Sequence, residues 1–204
     1  MNLSKELTEI ITNQSKTGSV SIKSLVEHFG SRSLAFLIII LSLPIALPFT
    51  PPGINTPVAV VCIIISIQMI LSKKTVYLPN WIGNKNLPFK PDGGFFKALT
   101  KMLEFVENIT KERLAAFTTS KYTQFFLGFG VLSSSIIMLL PLPIINSLSS
   151  FLVLLTAVGI VTKDGLVAFI GAFISVTLLL GIIILTIYSL KFGLSIDPKQ
   201  LLKR

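Results

Sequence analysis

The side chains that could do chemistry inside the apolar part of this chain are all neutral. No Lys, Arg, Asp, Glu or His lies between Ser33 and Ser72, or between Tyr122 and Thr162. Ionisable groups in membrane segments commonly mark proton or ion pathways, so their absence argues against such a pathway. The groups left to face a solute, or to satisfy irregular backbone, are led by Asn55, Thr56, Gln68, Asn146 and Ser147; Ser66 and Ser133 to Ser135 are further candidates, the last three with close helix packing as the alternative.

Covalent, acid–base and metal catalysis have few residues to use. His28 is the one histidine and Cys62 the one cysteine. A disulfide framework and a cysteine-based zinc site are therefore excluded, and a Ser-His-Asp triad has almost nothing to build on. Acid–base chemistry needs positioned carboxylates, and the nine acidic residues are scattered over polar segments. We expect no enzyme activity, no metal and no cofactor.

One pair of opposite charges, Glu27 and Arg32, lies where the chain enters its first apolar stretch. The two side chains could form an interfacial ion pair that acts as a gate. The alternative is a solvated pair of little consequence, as most exposed ion pairs are.

The elements that carry the neutral groups are predicted to be membrane hairpins. Each uncharged stretch is about 40 residues long, roughly twice what one crossing needs. The first is broken by prolines between Leu43 and Pro57 and the second between Leu140 and Ser147, and proline interrupts a helix. The fold class is therefore an all-α membrane protein with Pro-broken helical hairpins over 33–72 and 124–163. Their short arms either cross the bilayer or re-enter it, and the alternative at each bend is a plain turn with helix-capping Asn and Ser.

The rest of the chain divides into further segments. Only 13% of residues are charged and the mean hydropathy is +0.80, which is typical of a membrane bundle. Periodic apolar residues predict amphipathic helices over 1–32, the second beginning at Ser21, and one from Phe95 onward within the segment 73–123. A last membrane helix is expected over 164–190, followed by a basic tail, 191–204.

The two hairpins are related by an internal repeat that sets Asn55 on Asn146. The same register pairs Pro52 with Pro143, Gln68 with Gly159, and Lys73 with Asp164. The match is short, so chance similarity between apolar segments is the alternative. A duplicated hairpin is a plan common among transporters.

The basic residues indicate sidedness. The net charge is +9, with Lys and Arg concentrated outside the apolar stretches. The positive-inside rule places the N-terminus and the central segment in the cytoplasm and both bends on the other side. A fifth crossing would take the basic tail outside, so five crossings is only a working count. Lipid head groups account for the charge without any nucleic acid.

Several motifs resemble the ExoD family of bacterial membrane proteins associated with exopolysaccharide synthesis. The stretch from Leu25 to Ser33 looks like that family's L-x-x-x-x-G-x-R entry to the first hairpin. Further similar motifs are Leu43-Pro44, Leu47-Pro48, Pro51-Pro52-Gly53, Ile67-Gln68, Leu78-Pro79, Leu140-Pro141-Leu142-Pro143, Asn146-Ser147 and Lys163-Asp164-Gly165. The chain departs from the family at Ile144-Ile145 and at Trp81. The resemblance implies a multi-pass protein of the bacterial inner (plasma) membrane in exopolysaccharide production, without implying a biochemical activity.

Two functions are consistent with these features. The first is a transporter-like protein for a small solute, ion or lipid, favoured by the duplicated hairpins. The alternative is a non-catalytic accessory or assembly factor of a polysaccharide machine. The partners expected are the lipid bilayer, a second copy of the chain in a homodimer, and the polysaccharide-synthesis machinery.

Overall fold

The computed structural model describes residues 5, 8–9, 20–21, 33–46, 55–73, 86–87, 97, 100–101, 104–105, 108, 120–140 and 143–195. This part of the chain is helical apart from one pair of two-residue strands. Its helices are α1 (Ser33–Ala46), α2 (Asn55–Ile70), α3 (Lys121–Ile137), α4 (Pro143–Val161) and α5 (Gly165–Ser195). The strands β1 (Val20–Ser21) and β2 (Asn86–Leu87) pair antiparallel, with Val20 opposite Leu87.

Two helix starts coincide with prolines, whereas α1 accommodates Pro44 two residues before its end. Pro143 opens α4 and Pro57 lies in the first turn of α2. Proline is tolerated there because the first amide groups of a helix have no partner within the helix. The two Pro-broken stretches therefore each yield two separate helices, as the sequence predicts.

The arms of the two hairpins pack across each other. The main partner of α1 is α4, and the main partner of α2 is α3, while α1 and α2 touch each other much less. The core between them is apolar, and its largest fully buried side chains are Phe36, Ile38, Ile39, Ile45, Ile65 and Leu127. Each hairpin is thus held by the other.

The two hairpins point the same way. Leu34 and Gln124, near the starts of α1 and α3, line one cavity together with Met69 and Ile160, near the ends of α2 and α4. We call this the base end of the bundle. At the opposite end, the bend end, the Ser150 hydroxyl of α4 donates to the Ser42 carbonyl of α1 at 2.9 Å.

The last helix, α5, is much longer than the others and only partly packed. It has 31 residues, or about 46 Å, whereas α1 to α4 have 14 to 19. Its first half lies on α3 and α4, where the Ser134 hydroxyl donates to the Ser175 hydroxyl at 2.8 Å. Side chains from Leu180 to Phe192 are half-buried at most, and the large apolar ones are exposed on all sides. Two segments are long and apolar enough to cross a membrane, Ile144–Val161 and Gly165–Phe192.

Some observed boundaries differ from the sequence predictions. The second hairpin begins at Lys121, and α5 continues to Ser195, because the first residues of the expected basic tail contain no proline to stop the helix. Ser21, expected to begin a helix, pairs instead with Asn86 in the short ladder. Lys97, Lys101 and Glu104 are helical and exposed, in keeping with the polar side of the predicted amphipathic helix, whose apolar positions lie outside the described residues.

Candidate functional site

A cluster of buried polar side chains lies at the bend end of the bundle. Asn146, Ser149 and Ser150 have the three- and four-residue spacing that puts side chains on one face of a helix. They are buried, with exposed fractions of 4%, 0% and 0%. Ser150 contacts α1 through its hydrogen bond to the Ser42 carbonyl, so this polar face of α4 lies toward the first hairpin. Ser42 is itself buried and donates to the Ile38 carbonyl at 2.6 Å.

Three oxygen atoms at the starts of α2 and α4 are buried without a hydrogen-bond partner. They are Oδ1 of Asn55, Oδ1 of Asn146 and Oγ of Ser149. Leaving a buried acceptor unsatisfied costs about 1–3 kcal/mol, so such groups are rare without a functional reason. All three can accept a hydrogen bond, which a hydroxyl, an amine or a water can donate.

The two asparagines do not act as ordinary helix caps. A capping Asn accepts a hydrogen bond through its side-chain oxygen from a backbone amide in the first turn. Asn55 begins α2 and Asn146 lies in the first turn of α4, yet neither Oδ1 atom has such a bond. Neither asparagine oxygen therefore caps its helix in this structure.

The other residues proposed from the sequence do not join this cluster. Thr56 is exposed on the outside of α2, and Ser147 is half-buried beside Asn146. Gln68 is buried near the base end, about 20 Å along α2 from Asn55, and its Nε2 donates to the Ile64 carbonyl at 3.2 Å. Glu27 and Arg32 lie outside the described residues.

Sequence reasoning missed Ser42, Ser149 and Ser150. The spacing of Asn146 with Ser149 and Ser150 was a usable signal, because these three positions share one helix face. Within the described part of the chain, no group of three or more His, Cys, Asp or Glu residues lies together as a metal site.

The second arm of each hairpin ends in the same backbone motif. At the end of α2, the Lys73 amide donates to the Gln68 carbonyl at 3.1 Å and the Ser72 amide to that of Met69 at 2.9 Å. At the end of α4, the Asp164 amide donates to Gly159 at 2.8 Å and the Lys163 amide to Ile160 at 3.3 Å. These are Schellman caps, which need a left-handed residue after the helix.

The left-handed positions also match in the register of the predicted repeat. Ser72 has φ 49° and Lys163 has φ 57°, and they are the non-glycine residues with positive φ in the described part of the chain. The register that sets Asn55 on Asn146 also sets Ser72 on Lys163 and Lys73 on Asp164. After the second cap the Asp164 carboxylate accepts the amides of Leu166 and Val167 at 3.2 and 3.3 Å, which begins α5.

Comparison with known proteins gives one family. The family model described as "Exopolysaccharide synthesis, ExoD" matches residues 3–185. The uncharacterized protein slr1875 of Synechocystis sp. is 27% identical over 98% of this chain and 94% of its own length. Protein ExoD of Rhizobium meliloti is 23% identical over 84% of this chain and 72% of its own length. No solved structure matches the chain.

Proposed function

Because the chain belongs to the ExoD family, we propose that it is a multi-pass protein of the bacterial inner membrane that serves exopolysaccharide synthesis by moving a small hydroxyl-bearing solute. The family description and the name of the Rhizobium relative give the process. Two helices of sufficient length and apolarity support the membrane location. The transport step is our inference from the hairpins.

The observation that carries the proposal is the set of unsatisfied acceptors on Asn55, Asn146 and Ser149. They lie at the starts of two helices that occupy equivalent positions in the two hairpins. The two Oδ1 atoms accept hydrogen bonds and the Ser149 hydroxyl can accept or donate, so the set matches a neutral group that does both, such as a sugar or polyol hydroxyl. Equivalent caps and equivalent helix ends support a duplicated hairpin, the plan common among transporters.

Helix lengths support a re-entrant placement of the first hairpin, whereas α4 of the second hairpin contains an apolar segment long enough to cross the membrane. The uncharged part of α5, residues 165–190, is roughly 39 Å long, while the arms of the hairpins are roughly 21–28 Å. All five helices have one end at the base end of the bundle. If α5 crosses the hydrocarbon layer of about 30 Å, the shortest arm, α1, reaches roughly 0.7 of that depth and α4 nearly all of it. Irregular backbone at such a depth is tolerated beside a water-filled cavity, which is where a solute would meet the acceptors.

The charges support the sidedness predicted from the sequence. Lys73, Lys121 and Lys163 lie at the base end, whereas the described residues on the opposite side include one charged side chain, Lys191, near the end of α5. The positive-inside rule then puts the base end, and with it the N-terminal and central segments, in the cytoplasm. The acceptors would open toward the other side.

A second candidate function is a non-catalytic assembly factor of a polysaccharide machine. The second half of α5 favours it, because Ile184, Leu185 and Tyr188 are 65%, 71% and 70% exposed. A helix apolar all round can contact either lipid or a partner's transmembrane helix.

Vesicle swelling tests the transport proposal. The full chain is reconstituted into liposomes, and stopped-flow light scattering follows swelling in isotonic glycerol and in isotonic glucose. We expect faster swelling than in protein-free vesicles, and we expect Asn55→Ala combined with Asn146→Ala to abolish the difference. The matched control is Thr177→Val, because this exposed hydroxyl bonds only to the Phe173 carbonyl of its own helix.

The melting temperature of each variant in detergent separates loss of transport from loss of fold. Since alanine removes unsatisfied acceptors, the melting temperature of the double variant should be at most a few degrees below that of the parent. Wild-type vesicles that swell no faster than empty ones, with a polysaccharide-synthesis partner that co-purifies, would reject transport in favour of the assembly role.

A further inference from the structure

A small cavity lies at the base end, where the four arms of the two hairpins meet. Its inner wall is apolar and includes the buried side chains of Leu34, Ala35 and Leu127. Its polar lining comes from Ser72 and Lys73, on the cap of α2, and from Gln124, in the first turn of α3. The cavity encloses about 60 Å³, which is room for roughly four waters or one tetrahedral oxyanion.

The backbone fixes the polar groups at this cavity. The Schellman cap at the end of α2 holds Ser72 at φ 49° and ties the Lys73 amide to the Gln68 carbonyl. The backbone of Gln124 is held by its main-chain N–H, which donates to the Ser120 carbonyl at 2.9 Å. The cap of α2 and the start of α3, which belong to different hairpins, therefore both line this cavity.

These side chains suit an anion. The Lys73 ammonium group offers a positive charge and three hydrogen-bond donors. The side-chain amide of Gln124 offers two donors, and the Ser72 hydroxyl offers one. Among the described residues that line the cavity, Lys73 alone is charged. The nearby carboxylate of Asp164 is outside the lining and accepts the amides that begin α5. The charge of Lys73 is thus available to an anionic group.

We propose that this cavity binds the phosphate head group of a membrane lipid. A phosphate oxygen pairs well with an ammonium group through a charge-assisted hydrogen bond. Exposed apolar side chains adjoin the polar groups in sequence, Leu71 before Ser72 and Phe125 after Gln124, at 60% and 54% exposure. They offer a surface for the acyl chains that a free phosphate would not use. The site shares the membrane location with the proposed function but not its residues, which lie at the opposite end of the bundle.

Native mass spectrometry of the full chain in a non-ionic detergent tests the proposal. Phosphatidic acid is titrated against diacylglycerol with the same acyl chains, which lacks only the phosphate. We expect phosphatidic acid to bind and diacylglycerol not to bind. Lys73→Gln should weaken phosphatidic acid binding about tenfold, the effect of losing one charged hydrogen bond.

The matched control is Lys121→Gln, because Lys121 is an exposed cation at the base end that does not line the cavity. Binding should stay within about twofold of the parent in this variant if the site is specific. An equal loss in both variants would mean diffuse attraction to a basic surface and would overturn the proposal. Gln124→Leu supplies an independent variant, which should also weaken binding while elution from a sizing column stays unchanged.

A competition arm separates the two sources of phosphate. Inorganic phosphate should displace phosphatidic acid only at concentrations far above the lipid's own. Displacement at equal concentration would assign the site to free phosphate and reject the lipid. Lys73→Gln should leave vesicle swelling unchanged, and the double asparagine variant should leave lipid binding unchanged, so each proposal fails or stands alone.

Discussion

Replacing Gly159 by alanine should disrupt the contact between α4 and α5. A Cβ atom at this position would lie 2.3 Å from the backbone nitrogen of Ala168, 2.7 Å from its Cα and 2.8 Å from its Cβ. Ordinary contacts between such atoms are about 3.5–4.0 Å. Because the closest atom belongs to the backbone, no side-chain rotation can relieve the clash, and the two helices must separate by about 1 Å.

The size of the effect follows from the cost of overpacking. Forcing extra volume into a well-packed contact costs about 1–3 kcal/mol. Alanine also gains about 1 kcal/mol of helix propensity over glycine, which would partly hide the loss. Gly181→Ala measures this gain in helix propensity by itself. Gly181 lies in α5, and a Cβ atom added to it would have no neighbour within 4 Å, so the variant adds no clash.

The assay is thermal unfolding of both variants in the same detergent. For a chain of this size, 1 kcal/mol shifts the melting temperature by roughly 2–4 °C. Gly159→Ala should therefore melt about 2–12 °C below Gly181→Ala. If the two variants melt together, α4 and α5 are not in backbone contact at Gly159, and the packing of α5 described above is wrong.

Three further predictions concern a cap, a hydrogen bond and a thiol. Lys163→Gly should raise the free energy of unfolding by about 1 kcal/mol, because Lys163 holds a left-handed φ of 57°, whereas Lys163→Ala should give no such gain; chemical denaturation compares the two. Ser175→Ala should lower the melting temperature more than Ser134→Ala. Ser175→Ala leaves the buried Ser134 hydroxyl without its acceptor, whereas in Ser134→Ala the Ser175 hydroxyl still donates to the Gly171 carbonyl; equal melting temperatures would contradict this. Cys62 is fully buried, so N-ethylmaleimide should label it only after unfolding, while Lys163→Cys in a Cys62→Ser background should react at once in the folded protein.

The helix breaks were predictable because proline acts locally. α1 accommodates one proline, Pro44, in its last turn, but a run of several prolines with a glycine between Leu43 and Pro57 is incompatible with one continuous helix, so the separate arms could be predicted from the sequence. The end of α5 was harder to predict from the sequence. Lys191 looks like the start of a polar tail, but a single lysine does not end a helix, and α5 continues to Ser195.

The pairing of the arms could not be predicted. Helices that are apolar on all sides have no polar stripe to show which face is buried, so nothing marks α4 as the partner of α1. Apolar helices likewise do not show which polar side chains share a site, and Gln68 lies near the base while Asn55 lies at the bend end. Ser149 and Ser150 were missed because serine is a common packing residue in such helices.

The unsatisfied acceptors support a binding function at the bend end more strongly than the internal repeat does. Equivalent caps at Ser72 and Lys163 are required by any chain that must turn at the end of a helix, so they stabilise the fold whatever it does. The Oδ1 atoms of Asn55 and Asn146 are different, because a buried acceptor without a donor stabilises nothing in the fold. Together with Ser149 they forgo several kcal/mol that an apolar side chain or a capping bond would recover. A penalty repeated in both hairpins at the same helix turn is what a site kept open for a hydrogen-bond donor requires.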